Sequence, residues 1–447
     1  MRPRRSTLPV AGAGCLAWLA LSIAPGLAPG LAAAPSASVD LGGTAVPGGA
    51  STNPAEPTTL TAGLWSATVS AQYPQHFTYA RRVKDSVVHV GVLGAPQSTD
   101  SDALSVKVGV RTPESTSLTS CGSASDTSEY VVPHAVLGAR VAAGAGDGSS
   151  AESCRGSDEL QIEVGRGSTS NPAEMPYVIK IVEEAPLTDP GGTEPDEEPS
   201  YDVPEPRAAT ERPGAASLAK APKLDARSGP VTVTTTLTEG TEQLWRVPLT
   251  WGDLPVVRVD VPAATGADAE TFSYSGPDLS VHLIDPMRGR FRHVDTEREH
   301  SATGQYVADE EGEGQQLVAA GYPVRPANGL LPGDYWVSVA LEAAPEDRDP
   351  VDVTVELTAQ VVAGGADEPS YQQAVLSQEQ DAVPDGYSSA KPFLVGEETF
   401  AAVASGNPVV VVDEAEDWLS ARRGAGLGVA ALSVACLAGG LVRLRRA

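Results

Sequence analysis

The sequence predicts an all-β fold: two tandem β-sandwich domains, jelly-roll-like, joined by a Pro- and acid-rich linker and followed by one C-terminal transmembrane helix. Three observations predict it. Short runs rich in Val, Thr and aromatic residues recur between turn signals, as strands of a sandwich do. Gly (45) and Pro (37) are frequent in a chain of 447 residues, which suits many turns and few helices. The order of runs in residues 59–183 returns in residues 229–363.

The first block contains Leu64–Val69, Phe77–Val83 and Ser86–Val92, whose alternation places Val88, Val90 and Val92 on one face. Leu104–Val110 alternates likewise at Val106, Val108 and Val110, and Leu160–Val164 and Tyr177–Val182 close the set. With aromatics at 5%, the interior must be filled by Val, Leu, Ile and Ala. Residues 38–58 are a polar lead-in. Residues 184–228 change character: Glu194–Pro199 is almost all Pro, Glu and Asp, and Pro recurs at 204, 206, 213 and 222. That composition predicts an extended, self-repelling spacer.

The second block offers Val231–Leu237, a turn at Glu239-Gly240-Thr241, then Gln243–Leu249, Pro255–Val261, Leu279–Ile284, Gly333–Leu341 and Val351–Leu357. Tyr79–Val83 corresponds to Leu244–Val247, and Val87–Val92 to Val256–Val261, so the blocks read as a diverged tandem repeat. Residues 364–423 form a juxtamembrane region, either a stalk or an added hairpin on the second block.

The ends concern address. Arg2, Arg4 and Arg5 precede an apolar stretch closing in Ala32-Ala33-Ala34, the layout of a secretory signal peptide over residues 1–37. Gly12-Ala13-Gly14 before Cys15 lacks the aliphatic residue of a lipoprotein signal. Residues 424–442 carry no charge, and nineteen residues at about 1.5 Å each span roughly 28 Å, enough for a hydrocarbon core. Arg443, Arg445 and Arg446 form the cytoplasmic flank over residues 443–447, and Trp418 sits where an interfacial anchor belongs. A single-pass protein of the cell membrane with its N-terminal ectodomain outside is expected. No sortase pentapeptide precedes the span. Of four Cys, Cys15 and Cys436 fall in the apolar ends; Cys121 and Cys154 remain outside and are expected to form a structural disulfide.

The net charge of -27 opposes nucleic-acid binding, which needs a basic stripe. Calcium is an option for any acidic exterior, but a solvated surface explains the charge as well. The six His (76, 89, 134, 282, 293 and 300) are scattered, without a His-Glu-x-x-His zinc motif. His89 and His282 alternate with apolar positions and are expected to face solvent. His293 and His300 flank Asp295, Glu297 and Glu299, and Asp309–Glu313 is acidic; both read as charged loops. No Gly-x-Ser-x-Gly elbow and no phosphate-binding loop occurs. No cofactor, metal or catalytic residue is assigned.

The second block resembles the pre-peptidase C-terminal type sandwiches, non-catalytic modules of exported bacterial proteins. The resemblance rests on Glu239–Val247 and on Gly333-Asp334-Tyr335-Trp336-Val337-Ser338-Val339, similar to that family's closing Gly-x-Tyr strand, and covers about 130 residues. The first block departs from it, since Pro176-Tyr177-Val178 lacks the Gly. The whole layout resembles single-span streptomycete envelope proteins in which such sandwiches follow von Willebrand factor A-type domains; this chain has no such domain. The resemblance implies a non-catalytic surface protein that binds or scaffolds an envelope protein or polysaccharide. Two alternatives stand beside it: an accessory or sensor subunit assembling through Gly426, Gly428, Gly439 and Gly440, and a cryptic envelope hydrolase.

Overall fold

The computed structural model describes residues 38–371 except 112–117, 129–131, 133, 168, 170, 185, 192–200, 292–301, 309–311 and 365–368. In chain order the first block forms β1 (Thr44–Ala45), β2 (Thr58–Leu60), β3 (Gly63–Val69), β4 (Gln75–Ala80), β5 (Val87–Gly94), β6 (Ala103–Arg111), β7 (Leu118–Thr127) and β8 (Leu137–Ala143). A short helix α1 (Ser149–Gly156) then leads to β9 (Glu159–Gly165) and β10 (Met175–Glu184). These strands make two sheets, β1-β3-β10-β5-β8 (sheet A) and β2-β4-β9-β6-β7 (sheet B). The pairs β1/β3 and β2/β4 are parallel, the others antiparallel.

Alternation decides what lies between the sheets. Val88, Val90 and Val92 of β5 meet Val106 and Val108 of β6, Leu160, Ile162 and Val164 of β9, and Phe77 and Tyr79 of β4 in one buried cluster. Each large apolar side chain removed from water contributes about 1.5–3 kcal/mol, so this row holds the sandwich together.

After β11 (Leu187–Asp189) and β12 (Thr210–Glu211), the second block forms β13 (Val231–Thr238), β14 (Glu242–Leu249), β15 (Leu254–Val261), α2 (Ala267–Thr271), β16 (Asp278–Ile284), β17 (Thr303–Gln305), β18 (Gln315–Ala320), β19 (Gly333–Leu341) and β20 (Asp352–Val362). A last strand, β21 (Ser370–Tyr371), pairs with β11. The sheets are β12-β13-β20-β15-β18 (sheet C) and β14-β19-β16-β17 (sheet D). Sheet C repeats the order of sheet A strand for strand, and β4-β9-β6-β7 of sheet B corresponds to sheet D. The two sequence correspondences noted above fall on equivalent strands, β4 with β14 and β5 with β15.

The sandwiches are stacked. Leu64, Leu93 and Val178, on the outer face of sheet A, pack against Leu244, Ile284 and Trp336 of sheet D. Val182 meets Met287 and Leu331. Sheet A is therefore covered on both faces, and β5 and β10 are buried almost throughout. This corrects the expectation that His89 faces solvent. It is buried, and its Nε2 lies 2.6 Å from the Glu184 carboxylate on β10. Sequence alternation marked its face as polar, but polar is not the same as wet once another element covers the sheet.

The expected free spacer is also different over its described second half. Ala215 pairs with Leu244, and Leu224 donates to the Arg246 carbonyl, so residues 215–224 cap the edge strand β14. The Asp40 amide donates to the Ala216 carbonyl and the Leu218 amide to the Asp40 carbonyl, tying the lead-in to this strap. Leu218 and Ala221 are buried between the sandwiches, and Leu224 and Ala226 in the second core. These apolar residues among the prolines hold the segment down. Among the described residues no helix is long and apolar enough to cross a membrane. The signal region, the span at 424–442, Trp418, Arg443, Arg445 and Arg446 lie outside the described residues.

Candidate functional site

Two places concentrate polar chemistry: the seam between the sandwiches and the outer face of sheet B.

At the seam, the hairpin turn 285–290 after β16 presses on sheet A. Lys180 of β10 is fully buried and donates its Nζ to the Pro286 carbonyl. Arg140 of β8 pairs with Asp285 at 2.6 Å and donates to the Asn328 and Gly329 carbonyls. Arg290 pairs with Asp126 at 2.5 Å and donates to the Thr127 carbonyl. Arg288 stands at φ 74°, its guanidinium 4.5 Å from the Trp336 ring centre. Trp336 Nε1 donates to the Leu218 carbonyl at 2.9 Å. Glu242 of β14 accepts from the Val136 amide and the Ser338 hydroxyl.

Burial governs the titration of these groups. It pushes the Lys180 amine well below its ordinary value, with the Arg288 charge adding to the effect and Asp285 and Asp334 opposing it. Burial lowers Arg288 to about 9. It raises Asp285, against the pull of Arg140, and raises Glu242, against the Ser338 and Val136 hydrogen bonds. Lys180, Asp285, Arg290 and Glu242 spend polar atoms on partners across the seam. A buried pair roughly offsets its own desolvation, so they fix alignment while the apolar contacts supply the adhesion.

The first sandwich has a comparable buried carboxylate. Glu183 accepts from the Tyr79 hydroxyl, the Arg82 and Val83 amides and the Ser86 hydroxyl, so its oxygens are occupied.

The outer face of sheet B is open. His76 of β4, Glu163 of β9 and Lys107 of β6 stand opposite one another in register, Lys107 Nζ lying 2.9 Å from Glu163. The next row is Gln161, Gly109 and Ser120. Gly109 has no side chain, and a Cβ there would sit 2.9 Å from the Thr119 carbonyl. The face dips here into a trough of about 240 Å³, walled by Pro54 and Leu118 and bordered by Arg111.

The predicted Cys121–Cys154 disulfide is present, with Cα atoms 5.7 Å apart. It is aimed by a β-bulge. Val108 pairs with Gly122 and Gly109 with Ser120, leaving Cys121 as the extra residue, so both Cys121 and Ala124 pack on the core. Of the His, 76 borders the trough, 89 and 134 are buried, and 282 is half-buried on β16. His293, His300, Asp295, Glu297 and Glu299 lie outside the described residues, as do Asp309–Glu311. Among the described residues no group of three or more His, Cys, Asp or Glu could hold a metal ion. The trough was missed in sequence because β7 is built from Ser, Thr and Gly; the signal available was the Lys107 and Glu163 pair on alternating strands.

No protein-family model matches the chain, and no curated protein matches it. Among solved structures, a periplasmic inhibitor of g-type lysozyme from Aeromonas hydrophila aligns with 32% of this chain and 95% of its own, at 11% identity and TM-score 0.17. The tandem CBM22 domains of Paenibacillus barcinonensis Xyn10C cover 66% and 85%, at 12% identity and TM-score 0.18. PNGase F from Flavobacterium meningosepticum covers 67% and 98%, at 7% identity and TM-score 0.17. Likenesses this weak carry no argument about function.

Proposed function

We propose that this chain is a non-catalytic surface protein, exported by its signal peptide, held by the span at 424–442 and its Arg flank, and binding or scaffolding an envelope partner with its stacked sandwiches. One observation carries the reading. The buried polar groups of the seam are spent on joining the two sandwiches, so the pair is built as one body with an open polar face on sheet B. A rigid body that keeps its charges for alignment suits presentation of a surface. The disulfide suits an oxidising compartment outside the cell. The layout shared with exported sandwich modules points the same way.

Affinity capture with the full-length chain from detergent-solubilised membranes tests the reading. A reproducible envelope partner is expected. A chain that shortens cell-wall polymers, or that protease added to intact cells leaves whole while protease added to lysed cells degrades it, would sink it.

A further inference from the structure

We infer that Asn328-Gly329 is a self-modification site gated by the seam: Arg140 of the first sandwich keeps it intact while the sandwiches are together, and their separation lets Asn328 deamidate. This goes beyond the surface-protein reading and does not depend on it. The chain has four Asn; Asn53, Asn171 and Asn407 each precede Pro, and Asn328 precedes Gly. Chain deamidation begins when the backbone nitrogen of the next residue attacks the Asn side-chain carbon. Pro has no N–H to give up, so three of the four Asn are closed to this route. Gly has no Cβ to crowd the attack, and its backbone turns freely. The chemistry is therefore concentrated at one bond.

The fold places that bond under the grip of the other sandwich. Asn328 ends a 3₁₀ turn, Pro326–Asn328, between β18 and β19, and Gly329 follows at φ 61°. Both residues are half-buried. The Gly329 amide, the nucleophile-to-be, donates to the Pro326 carbonyl at 2.8 Å. The Asn328 Nδ2, the leaving group, donates to the Pro323 carbonyl at 2.9 Å. The Asn328 and Gly329 carbonyls accept from Arg140 at 3.2 and 2.5 Å, and Asp285 anchors Arg140 at 2.6 Å. A Cβ on residue 329 would stand 3.2 Å from Arg140 Nη1, so the guanidinium lies against the bare side of the glycine. Ring closure requires Asn328 and Gly329 to turn, which breaks these bonds and takes the carbonyls off Arg140.

Once the turn is released, solvent base removes the Gly329 N–H proton and the nitrogen bonds to Asn328 Cγ. The Cγ–Nδ2 bond breaks and ammonia leaves. Water then opens the cyclic imide, at Cγ to give aspartate or at the Asn328 main-chain carbonyl to give isoaspartate. Water enters, ammonia departs, and nothing is oxidised or reduced. Isoaspartate lengthens the main chain by one carbon and carries the two carbonyls out of register with Arg140. Opening thereby becomes irreversible for each molecule so converted.

The test incubates the full-length chain, in nonionic detergent at mildly alkaline pH, over a series of urea concentrations. Mass spectrometry follows the amide-to-acid mass gain in the peptide holding residue 328, and fragmentation distinguishes isoaspartate from aspartate. Hydrogen exchange at the Arg290 amide, which donates to the Gly138 carbonyl across the seam at 3.0 Å, reports closure. If only opened molecules react, conversion follows the open population. Wild type should convert slowly without urea, and faster in proportion to Arg290 exchange as urea is added. Arg140→Gln forfeits the charge-assisted bonds and should convert about tenfold faster or more. Isoaspartate-containing chain returned to urea-free buffer should keep fast exchange at Arg290. Equal conversion in folded and unfolded wild type, no conversion in the unfolded chain, or restored Arg290 protection in the isoaspartate form overturns the inference without recourse to the variant. A folded Arg140→Gln chain that converts at the wild-type rate overturns it too.

Discussion

Gly91 lies directly beneath Met287: a Cβ on residue 91 would stand 1.5 Å from the Met287 carbonyl oxygen. Gly138 stands in the same relation to the Arg288 carbonyl, at 2.4 Å. Two bare patches on sheet A thus receive the 285–290 turn of the second sandwich. Gly91→Ala forces the backbones apart along the seam. A loss of about 1–3 kcal/mol is expected, as for overpacking elsewhere. Urea denaturation of the full-length chain, followed by Trp fluorescence, checks it; Trp336 and Trp251 report from the seam. An unchanged midpoint would show that the seam does not couple the sandwiches.

His134 should make the seam sensitive to acid. The ring is buried, and beyond a weak approach of the Thr241 backbone its nitrogens make no well-formed hydrogen bond among the described residues. Desolvation lowers it to about 4, with the Thr241 backbone offsetting part of the shift. The folded value lies below the unfolded one, so the unfolded chain binds the extra proton between them. The neutral ring's contribution is present above pH 6.5 and is lost as the pH falls toward 4, by about 3 kcal/mol at most. His134→Leu should flatten the fall in stability across that window. An identical pH slope in wild type and variant would refute it.

Removing the disulfide should weaken the first sandwich. The bridge closes a separation of 33 residues, and chain-entropy reasoning assigns about 3–4 kcal/mol to such a loop. Cys121→Ser with Cys154→Ser should lower the melting temperature and expose β7 to hydrogen exchange ahead of β5. Loss confined to the second sandwich would contradict the placement.

Trp336→Phe tests the strap. The change removes the Nε1 bond to Leu218 and replaces the indole over which Arg288 lies with a smaller ring. A loss of about 1–3 kcal/mol is expected, with faster proteolysis within residues 215–224 measured by mass spectrometry. Equal cleavage rates would mean that backbone pairing with β14 alone holds the strap.

The sequence made much of the fold legible. Alternation at Val88, Val90, Val92, Val106 and Val108 located the inner faces of the first sandwich, because a strand's period of two leaves that face little choice. The paired runs at Tyr79 and Trp245 marked equivalent strands. The polar trough was not legible. Its floor depends on which residues of four strands stand opposite Gly109, and register between distant segments is a tertiary quantity.

The candidate Cys pair was determined by elimination in the sequence, and the bulge that aims Cys121 was not. What the sequence by itself determined about this protein is its strand content, its inner faces, its repeat and the candidate pair Cys121 and Cys154; all follow from local pattern and count. Only the tertiary structure decided that the sandwiches stack, that His89 is dry, and that residues 215–224 serve as a strap. Those outcomes depend on the fit of one sheet's outer face, with its bare Gly91 and Gly138, to the 285–290 turn, far along the chain from both, and no local pattern encodes that fit.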